Sequence, residues 1–174
     1  MIKSSKGATI DCMFFPCTNE NNIRVDNPEG DYLTKPTILM NSPNALMYQQ
    51  MVTTPNAYWL NFFLKRECNV MAWNYRGYGL SKSPCYQGLN PYLCKIDAEK
   101  VLQFMIKKMQ LKGKIGVYGR SLGGIASTHL AAKYPQIIKA LIVDRTFADF
   151  ERLAIGRLKG NSSKKLFKIM SCNW

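Results

Sequence analysis

The sequence has 174 residues, of which 47% are hydrophobic and 20% are charged. This composition is typical of a globular protein with one hydrophobic core, so we expect a single domain over residues 1–174. No apolar run reaches the roughly 18 residues that a membrane-spanning helix needs, and no apolar stretch follows the basic N-terminus, which argues against a secretory signal. The formal net charge of +13 favours anionic partners without choosing among phosphates, lipid surfaces and acidic proteins.

Predicted strands and helices alternate along the first half of the chain. Residues 9–15 alternate roughly between apolar and polar side chains and predict a strand, and the polar stretch at residues 19–35 predicts a loop. A short buried strand is predicted at residues 36–40 and a well-buried helix at residues 57–65. Residues 69–75 form a nearly continuous apolar run, which is typical of a strand inside a parallel sheet.

The second half of the chain continues this alternation. Asn90 is a predicted N-cap and Pro91 a predicted first helical residue, and apolar side chains at helical spacing extend this helix to a stop at Lys112-Gly113. Three elements follow: a strand at residues 114–118, a helix at 125–133 and a strand at 140–144. The alternation predicts an α/β fold with a mostly parallel central sheet flanked by helices.

The C-terminal segment, residues 151–174, is strongly basic. No acidic residue follows Glu151, whereas the segment carries six basic ones: Arg152, Arg157, Lys159, Lys164, Lys165 and Lys168. One interpretation is contact with an anionic membrane surface or a protein partner, and the other is a solvated helix face and loop. No nucleic-acid recognition motif accompanies the charge, so no nucleic-acid partner is expected.

The distribution of cysteine and histidine argues against a metal site. The six cysteines are scattered without a Cys-x-x-Cys pair, and the chain contains one histidine. A structural zinc site needs clustered sulfur or imidazole ligands, so no metal and no cofactor are expected. Together with the lack of a signal sequence, this cysteine pattern favours an intracellular protein, either cytoplasmic or associated with a membrane surface.

A Gly-x-Ser-x-Gly motif centred on Ser121 lies between a predicted strand and a predicted helix. A serine on such a tight, strained turn needs small neighbours, and Gly119 and Gly123 flank it while Gly124 allows the helix to pack closely on the sheet. A glycine-rich turn with an incidental serine is the alternative, and the spacings of the phosphate-binding loops are absent. The context favours a nucleophilic serine at the carboxyl edge of the sheet.

Three segments together resemble the α/β-hydrolase superfamily, near its intracellular depalmitoylase-like branch. They are residues 42–45 after one predicted strand, residues 74–81 after the next, and residues 118–124 at the serine turn. The resemblance extends over residues 9–150. It implies a serine hydrolase that acts on small acyl-ester or acyl-thioester substrates, that is, an esterase or thioesterase.

The resemblance also implies roles for individual residues. Ser121 would be the nucleophile, and the backbone N–H of Leu122 would be one oxyanion-hole donor. The family's second donor follows a His-Gly pair, which is replaced here by Ser42-Pro43, so Asn44 is the matching position. Residues 76–79 would shape the pocket wall, either as a structural turn or in contact with substrate.

The general base is the missing part of this constellation. The family order is serine, acid, histidine, but the single histidine, His129, lies eight residues after Ser121, roughly 12 Å along the predicted helix. Asp144 is the candidate acid, or else an anchor for the turn with Arg145 and Thr146. We expect either a chain truncated before its acid and histidine, nearly inactive as it stands, or a noncatalytic α/β-hydrolase-like subunit of a larger assembly.

Overall fold

The computed structural model describes residues 1–17, 31–53, 57–84 and 90–148. The predicted basic segment 151–174 lies outside these residues. The described strands are β1 (Ile2–Lys3), β2 (Thr9–Ile10), β3 (Cys12–Phe15), β4 (Thr37–Asn41), β5 (Asn69–Trp73), β6 (Ile115–Arg120) and β7 (Ile138–Asp144). The described α-helices are α1 (Tyr48–Met51), α2 (Tyr58–Leu64), α3 (Pro91–Lys107) and α4 (Gly123–Lys133), and short 3-10 turns occur at Ser5–Gly7 and Asp31–Leu33.

Five of these strands form one sheet in the order β3-β5-β4-β6-β7. Strands β5, β4, β6 and β7 are parallel, whereas β3 pairs with β5 in the antiparallel direction. Strands β1 and β2 form a separate antiparallel pair. The prediction of a mostly parallel sheet is confirmed, and the carboxyl ends of its four parallel strands meet at one edge.

Helices cover both faces of the sheet, and each face has its own hydrophobic cluster. Leu39, Met71 and Val117 point towards α3 and α4. The residues that alternate with them along the same strands point to the opposite face, towards α1 and α2. Because both faces are covered, every residue of β4 and β5 is buried, which explains why the sequence of β5 lacks a polar alternation. None of the helices in the described ranges is long and apolar enough to cross a bilayer.

Most element boundaries differ by one or two residues from the sequence expectations, and two elements differ more. Residues 9–15 are not one strand, because Asp11 interrupts them, its N–H donating to the Ser81 hydroxyl and its carboxylate accepting from Tyr48. Helix α3 begins after the Asn90 cap as predicted but ends at Lys107, and Gln110 then adopts a φ of 56°. Gly113 does not stop the helix; instead, a Cβ there would lie 2.0 Å from the carbonyl oxygen of Lys35.

The predicted helix at residues 57–65 forms as α2, but it is less buried than expected. Leu60 and Phe63 are buried against the sheet, whereas the Tyr58 side chain is exposed. The Trp59 ring packs at a tilt of 39° against the Tyr118 ring, with centroids 5.1 Å apart, so one face of the helix packs on β6.

Candidate active site

Ser121 lies in a sharp turn between β6 and α4. Strand β6 ends at Arg120 and α4 begins at Gly123, so only two residues reverse the chain. Ser121 has a φ of 51°, in the left-handed region that non-glycine residues rarely adopt. Such strain persists only where the surrounding structure enforces it, and it is concentrated at functional sites. The turn brings the partly exposed Ser121 side chain to the carboxyl edge of the sheet.

Close packing around the turn excludes side chains at the three glycines that the sequence singled out. A Cβ at Gly119 would lie 2.4 Å from the Gly123 carbonyl oxygen, and one at Gly123 would lie 2.0 Å from the Asn41 carbonyl oxygen. At Gly124 the Cβ would lie 1.8 Å from the Thr146 hydroxyl oxygen. These separations are far inside van der Waals contact, so the glycines are required by the fold of the turn.

The segment that follows β7 fixes the backbone of the serine turn. The Ser121 N–H donates to the carbonyl oxygen of Asp144 over 3.0 Å. The Thr146 hydroxyl donates to the carbonyl oxygen of Ser121 over 2.7 Å. Among the described residues, none accepts a hydrogen bond from the Leu122 N–H. At the start of α4 this N–H is therefore available to stabilise negative charge.

The loop after β4 passes directly over the serine turn. The carbonyl oxygens of Asn41 and Ser42 line the space where a Gly123 side chain would be. Asn44 is exposed, and its side-chain oxygen accepts a hydrogen bond of 2.7 Å from the Tyr78 hydroxyl. Ala45 has a φ of 60°, so the loop turns sharply immediately after Asn44. The loop thus packs on the start of α4, and the oxyanion role of the Asn44 N–H stays a prediction.

Asp144 is surrounded by cationic and phenolic partners at the end of β7. Its carboxylate accepts hydrogen bonds of 2.9 and 3.1 Å from Arg145, and it lies 3.6 Å from the Arg120 guanidinium. The Tyr118 hydroxyl also donates to it, over 3.3 Å. The Arg145 hydrogen bond holds the pKa of Asp144 below its ordinary value. These contacts match the anchoring role that the sequence left open, and the role of Asp144 as catalytic acid stays a prediction.

His129 is engaged on the side of α4 that faces α3. Its Nε2 lies 2.6 Å from a carboxylate oxygen of Glu99 on α3, and Lys133 and Tyr134 bind the same carboxylate. Although burial opposes it, the hydrogen bonds from Lys133, His129 and Tyr134 hold the pKa of Glu99 below its ordinary value. The histidine thus joins two helices and is not at the serine turn, as its place eight residues after Ser121 predicted.

A buried hydrogen-bond network beneath the turn was not predicted from the sequence. The Trp73 indole N–H donates to the side-chain oxygen of Asn41, and the Asn41 amide donates to the Ser127 hydroxyl, each over 2.8 Å. All three side chains are buried, so the network ties β5 and β4 to α4. The only sequence signal was the polar Asn41 at the end of an apolar strand.

Comparison with known proteins places this geometry in a family. The family model described as the alpha/beta hydrolase fold matches residues 54–163, more than half of the chain. The chain belongs to the α/β-hydrolase family. The nucleophilic role that the sequence resemblance implied for Ser121 stays a prediction.

Two curated relatives and one solved structure illustrate the relationship. This α/β-hydrolase is 38% identical over 92 residues to protein bem46 of Schizosaccharomyces pombe, covering 52% of the chain and 29% of bem46. It is 27% identical over 136 residues to human alpha/beta hydrolase domain-containing protein 17B, covering 77% of the chain and 40% of that relative. The chain therefore spans less than half the length of these relatives.

The solved structure supports the fold. Est1E from Butyrivibrio proteoclasticus with bound ferulic acid matches with a TM-score of 0.67 at 16% identity, covering 92% of this chain and 60% of that one.

Among the residues that the structure describes, no group of three His, Cys, Asp or Glu side chains could hold a metal ion.

Proposed function

We propose that this hydrolase cleaves ester or thioester bonds through an acyl intermediate on Ser121. The observation that carries the proposal is the strained serine between β6 and α4, which has a φ of 51° and is flanked by Gly119 and Gly123, where a side chain would collide with neighbouring backbone. The neighbouring Leu122 N–H, which has no acceptor among the described residues, supports an oxyanion hole. A strained backbone conformation costs folding free energy, which a purely structural turn has no reason to spend.

In the proposed reaction the Ser121 oxygen attacks the acyl carbonyl carbon and loses its proton to a base. The carbonyl oxygen becomes an oxyanion that accepts hydrogen bonds from the backbone N–H groups of Leu122 and Asn44. The carbon–oxygen or carbon–sulfur bond then breaks, and the alcohol or thiol leaves with a proton. Water attacks the acyl-serine in the same way, releasing the carboxylic acid and restoring the Ser121 hydroxyl.

The proposed reaction needs a general base, and the chain has no histidine near Ser121 to supply it. The sequence contains one histidine, His129, and its ring is bound to Glu99 at 2.6 Å. Serine is a weak nucleophile without a base. We therefore expect residues 1–174 alone to acylate slowly, through the oxyanion hole and substrate binding.

The engagement of the single histidine also favours a second candidate function. A noncatalytic α/β-hydrolase-like subunit would keep the fold and the turn without needing a base. The two functions differ in whether the Ser121 hydroxyl reacts with an acyl or phosphonyl electrophile once a base is provided.

A fluorophosphonate probe tests the nucleophile directly. The full chain is incubated with the probe over a series of imidazole concentrations, which supply a diffusible base, and labelled peptides are mapped by mass spectrometry. We expect labelling at Ser121 at a rate that rises with imidazole, and no label at that position in Ser121→Ala. Ser83→Ala, in the segment next to the Thr9–Lys82 bridge, is the matched serine control and should label like the unsubstituted chain.

The outcome separates the two candidate functions. Labelling that persists in Ser121→Ala, or no labelling at any imidazole concentration, would remove Ser121 from the nucleophile role and favour the noncatalytic subunit. Acyl thioesters and oxygen esters of increasing chain length would then define the leaving group and the acyl pocket.

For the basic segment 151–174 we propose contact with an anionic membrane surface inside the cell. Its six basic residues have no acidic residue after Glu151 to offset them. Sedimentation with phosphatidylserine vesicles should decline with added salt and in a variant with Lys164, Lys165 and Lys168 changed to Gln. Equal binding to neutral phosphatidylcholine vesicles would contradict the proposal, and no binding to either would favour a protein partner or a solvated segment.

A further inference from the structure

The segment at residues 74–78 touches the loop after β4 at three successive points. The side-chain oxygen of Asn74 accepts a hydrogen bond of 2.9 Å from the Tyr48 N–H at the end of that loop. The Tyr75 hydroxyl donates to the Ser42 carbonyl oxygen at its beginning. The Tyr78 hydroxyl donates to the Asn44 side chain in its middle, over 2.7 Å. The whole loop from residue 42 to residue 48 is therefore bracketed by one short segment.

The 74–78 segment is itself firmly held. Arg76 is buried and donates two hydrogen bonds of 2.7 Å to the Asp97 carboxylate on α3. The Ser4 hydroxyl also donates to Asp97, and Arg76 contacts the Ser5 hydroxyl at 3.3 Å. A buried, bidentate pair of this kind fixes the orientation of the backbone that carries it. The segment can therefore act as a rigid support for the loop.

The polar side chains around Asn74 add a second support. Its amide donates to the Asp11 carboxylate over 3.3 Å and to the Gln49 side-chain oxygen over 2.9 Å. The Tyr48 hydroxyl donates to the same carboxylate over 2.9 Å. Asn74 thus fixes the end of the loop, where α1 begins, while Tyr75 fixes its start. Tyr78 is the remaining contact, and of these three side chains it is the one that bonds to the predicted oxyanion residue, Asn44.

We propose that Tyr78 is a positioning residue for the oxyanion hole, an inference that rests on the proposed function. Its hydroxyl holds the Asn44 side chain, and through it the loop backbone, so that the Asn44 N–H faces the same substrate oxygen as the Leu122 N–H. Both Asn44 and Tyr78 lie near the surface, where a hydrogen bond adds little to folding stability. The contact instead restrains a sharply turning loop, in which Pro43 precedes Asn44 and Ala45 has a φ of 60°.

Tyr78→Phe in the full chain tests the proposal, because it removes the hydroxyl and keeps the ring that packs against Tyr75, with centroids 5.9 Å apart. Tyr92→Phe, at a tyrosine that is 61% exposed on α3, is the matched control. The first readout is amide hydrogen exchange of residues 42–47. The second is the rate of imidazole-assisted fluorophosphonate labelling of Ser121, and the third is the split between kcat and KM for a small activated ester.

For Tyr78→Phe we expect faster amide exchange in residues 42–47 and labelling of Ser121 slowed about fivefold. We also expect kcat to fall with KM unchanged, because a misplaced oxyanion donor weakens transition-state binding. Tyr92→Phe should match the unsubstituted chain in every readout. Unchanged exchange would overturn the inference, whether or not Ser121 reacts, and faster exchange with an unchanged labelling rate would overturn the positioning role. If the unsubstituted chain never labels, the proposed function fails, while faster exchange would still support Tyr78 as the restraint on this loop.

Discussion

The hydroxyl of Thr146 donates a hydrogen bond of 2.7 Å to the carbonyl oxygen of Ser121, 25 residues earlier in the chain. The same carbonyl accepts the Gly124 N–H over 3.0 Å, so the turn has both a local and a distant restraint. Residues after β7 therefore help to maintain the strained conformation of Ser121. Because the restraint comes from the segment that follows β7, the geometry of the turn depends on the assembled sheet.

Thr146→Val should weaken this restraint without changing the shape of the side chain. We expect a loss of about 1 kcal/mol in the free energy of unfolding, the usual value of one hydrogen bond, measured by urea denaturation. Labelling of Ser121 should also slow. Thr128→Val is the matched control, since its hydroxyl donates within α4 to the Gly124 carbonyl oxygen. Equal effects of the two substitutions would show that Thr146 has no special role at the turn.

Gly123→Ala should be far more damaging than a substitution at a glycine with open surroundings. Its Cβ would lie 2.0 Å from the Asn41 carbonyl oxygen, a backbone atom that cannot move without displacing β4. Gly77→Ala meets no atom within 4 Å, but its φ of 82° still strains an alanine. We expect a loss of more than about 3 kcal/mol for Gly123→Ala and of about 1 kcal/mol for Gly77→Ala. A smaller loss for Gly123→Ala, by thermal or urea unfolding, would contradict the close approach.

Gly123 and Thr146 illustrate which features of the site could be predicted from the sequence and which could not. The glycines around Ser121 were predictable because the tight turn demands small residues at fixed local spacing. The bond from Thr146, the Arg76–Asp97 pair and the contact between Tyr78 and Asn44 join residues 25, 21 and 34 positions apart, so only the folded chain brings them together. The sequence also placed the end of α3 too late, because Gly113 is required for close packing against Lys35.

Asp144→Asn should flatten the dependence of stability on acidity. The pKa of Asp144 in the folded state is lowered, chiefly by the Arg145 hydrogen bond. Its carboxylate therefore stabilises the folded state at pH values above the unfolded pKa of about 3.9. That stability is lost as the pH falls through the lower folded pKa. Because Arg145 is exposed, we expect a contribution of only about 0.5 kcal/mol. Urea unfolding at neutral pH and below pH 4 measures it.

Arg145→Gln supplies the comparison for this prediction, since it removes the main cause of the lowered pKa. Both variants should lose less stability on acidification than the unsubstituted chain, and the double variant should behave like either single one. An unchanged acid response in Asp144→Asn would exclude the ion pair as a contributor. The backbone bond from the Ser121 N–H to residue 144 is retained in every variant.

Strand β7 exposes apolar side chains at one margin of the sheet, and we expect this surface to promote self-association. Leu141 and Val143 are each 44% exposed, and within the described ranges β7 pairs with β6 alone. An open, apolar strand edge is a template for pairing with another chain. The double variant Leu141→Lys, Val143→Lys should therefore be more monomeric in sedimentation velocity. Val52→Lys, at a valine that is 48% exposed elsewhere, should not change association. A sharp melt of the unsubstituted chain as a monomer, independent of its concentration, would contradict this expectation.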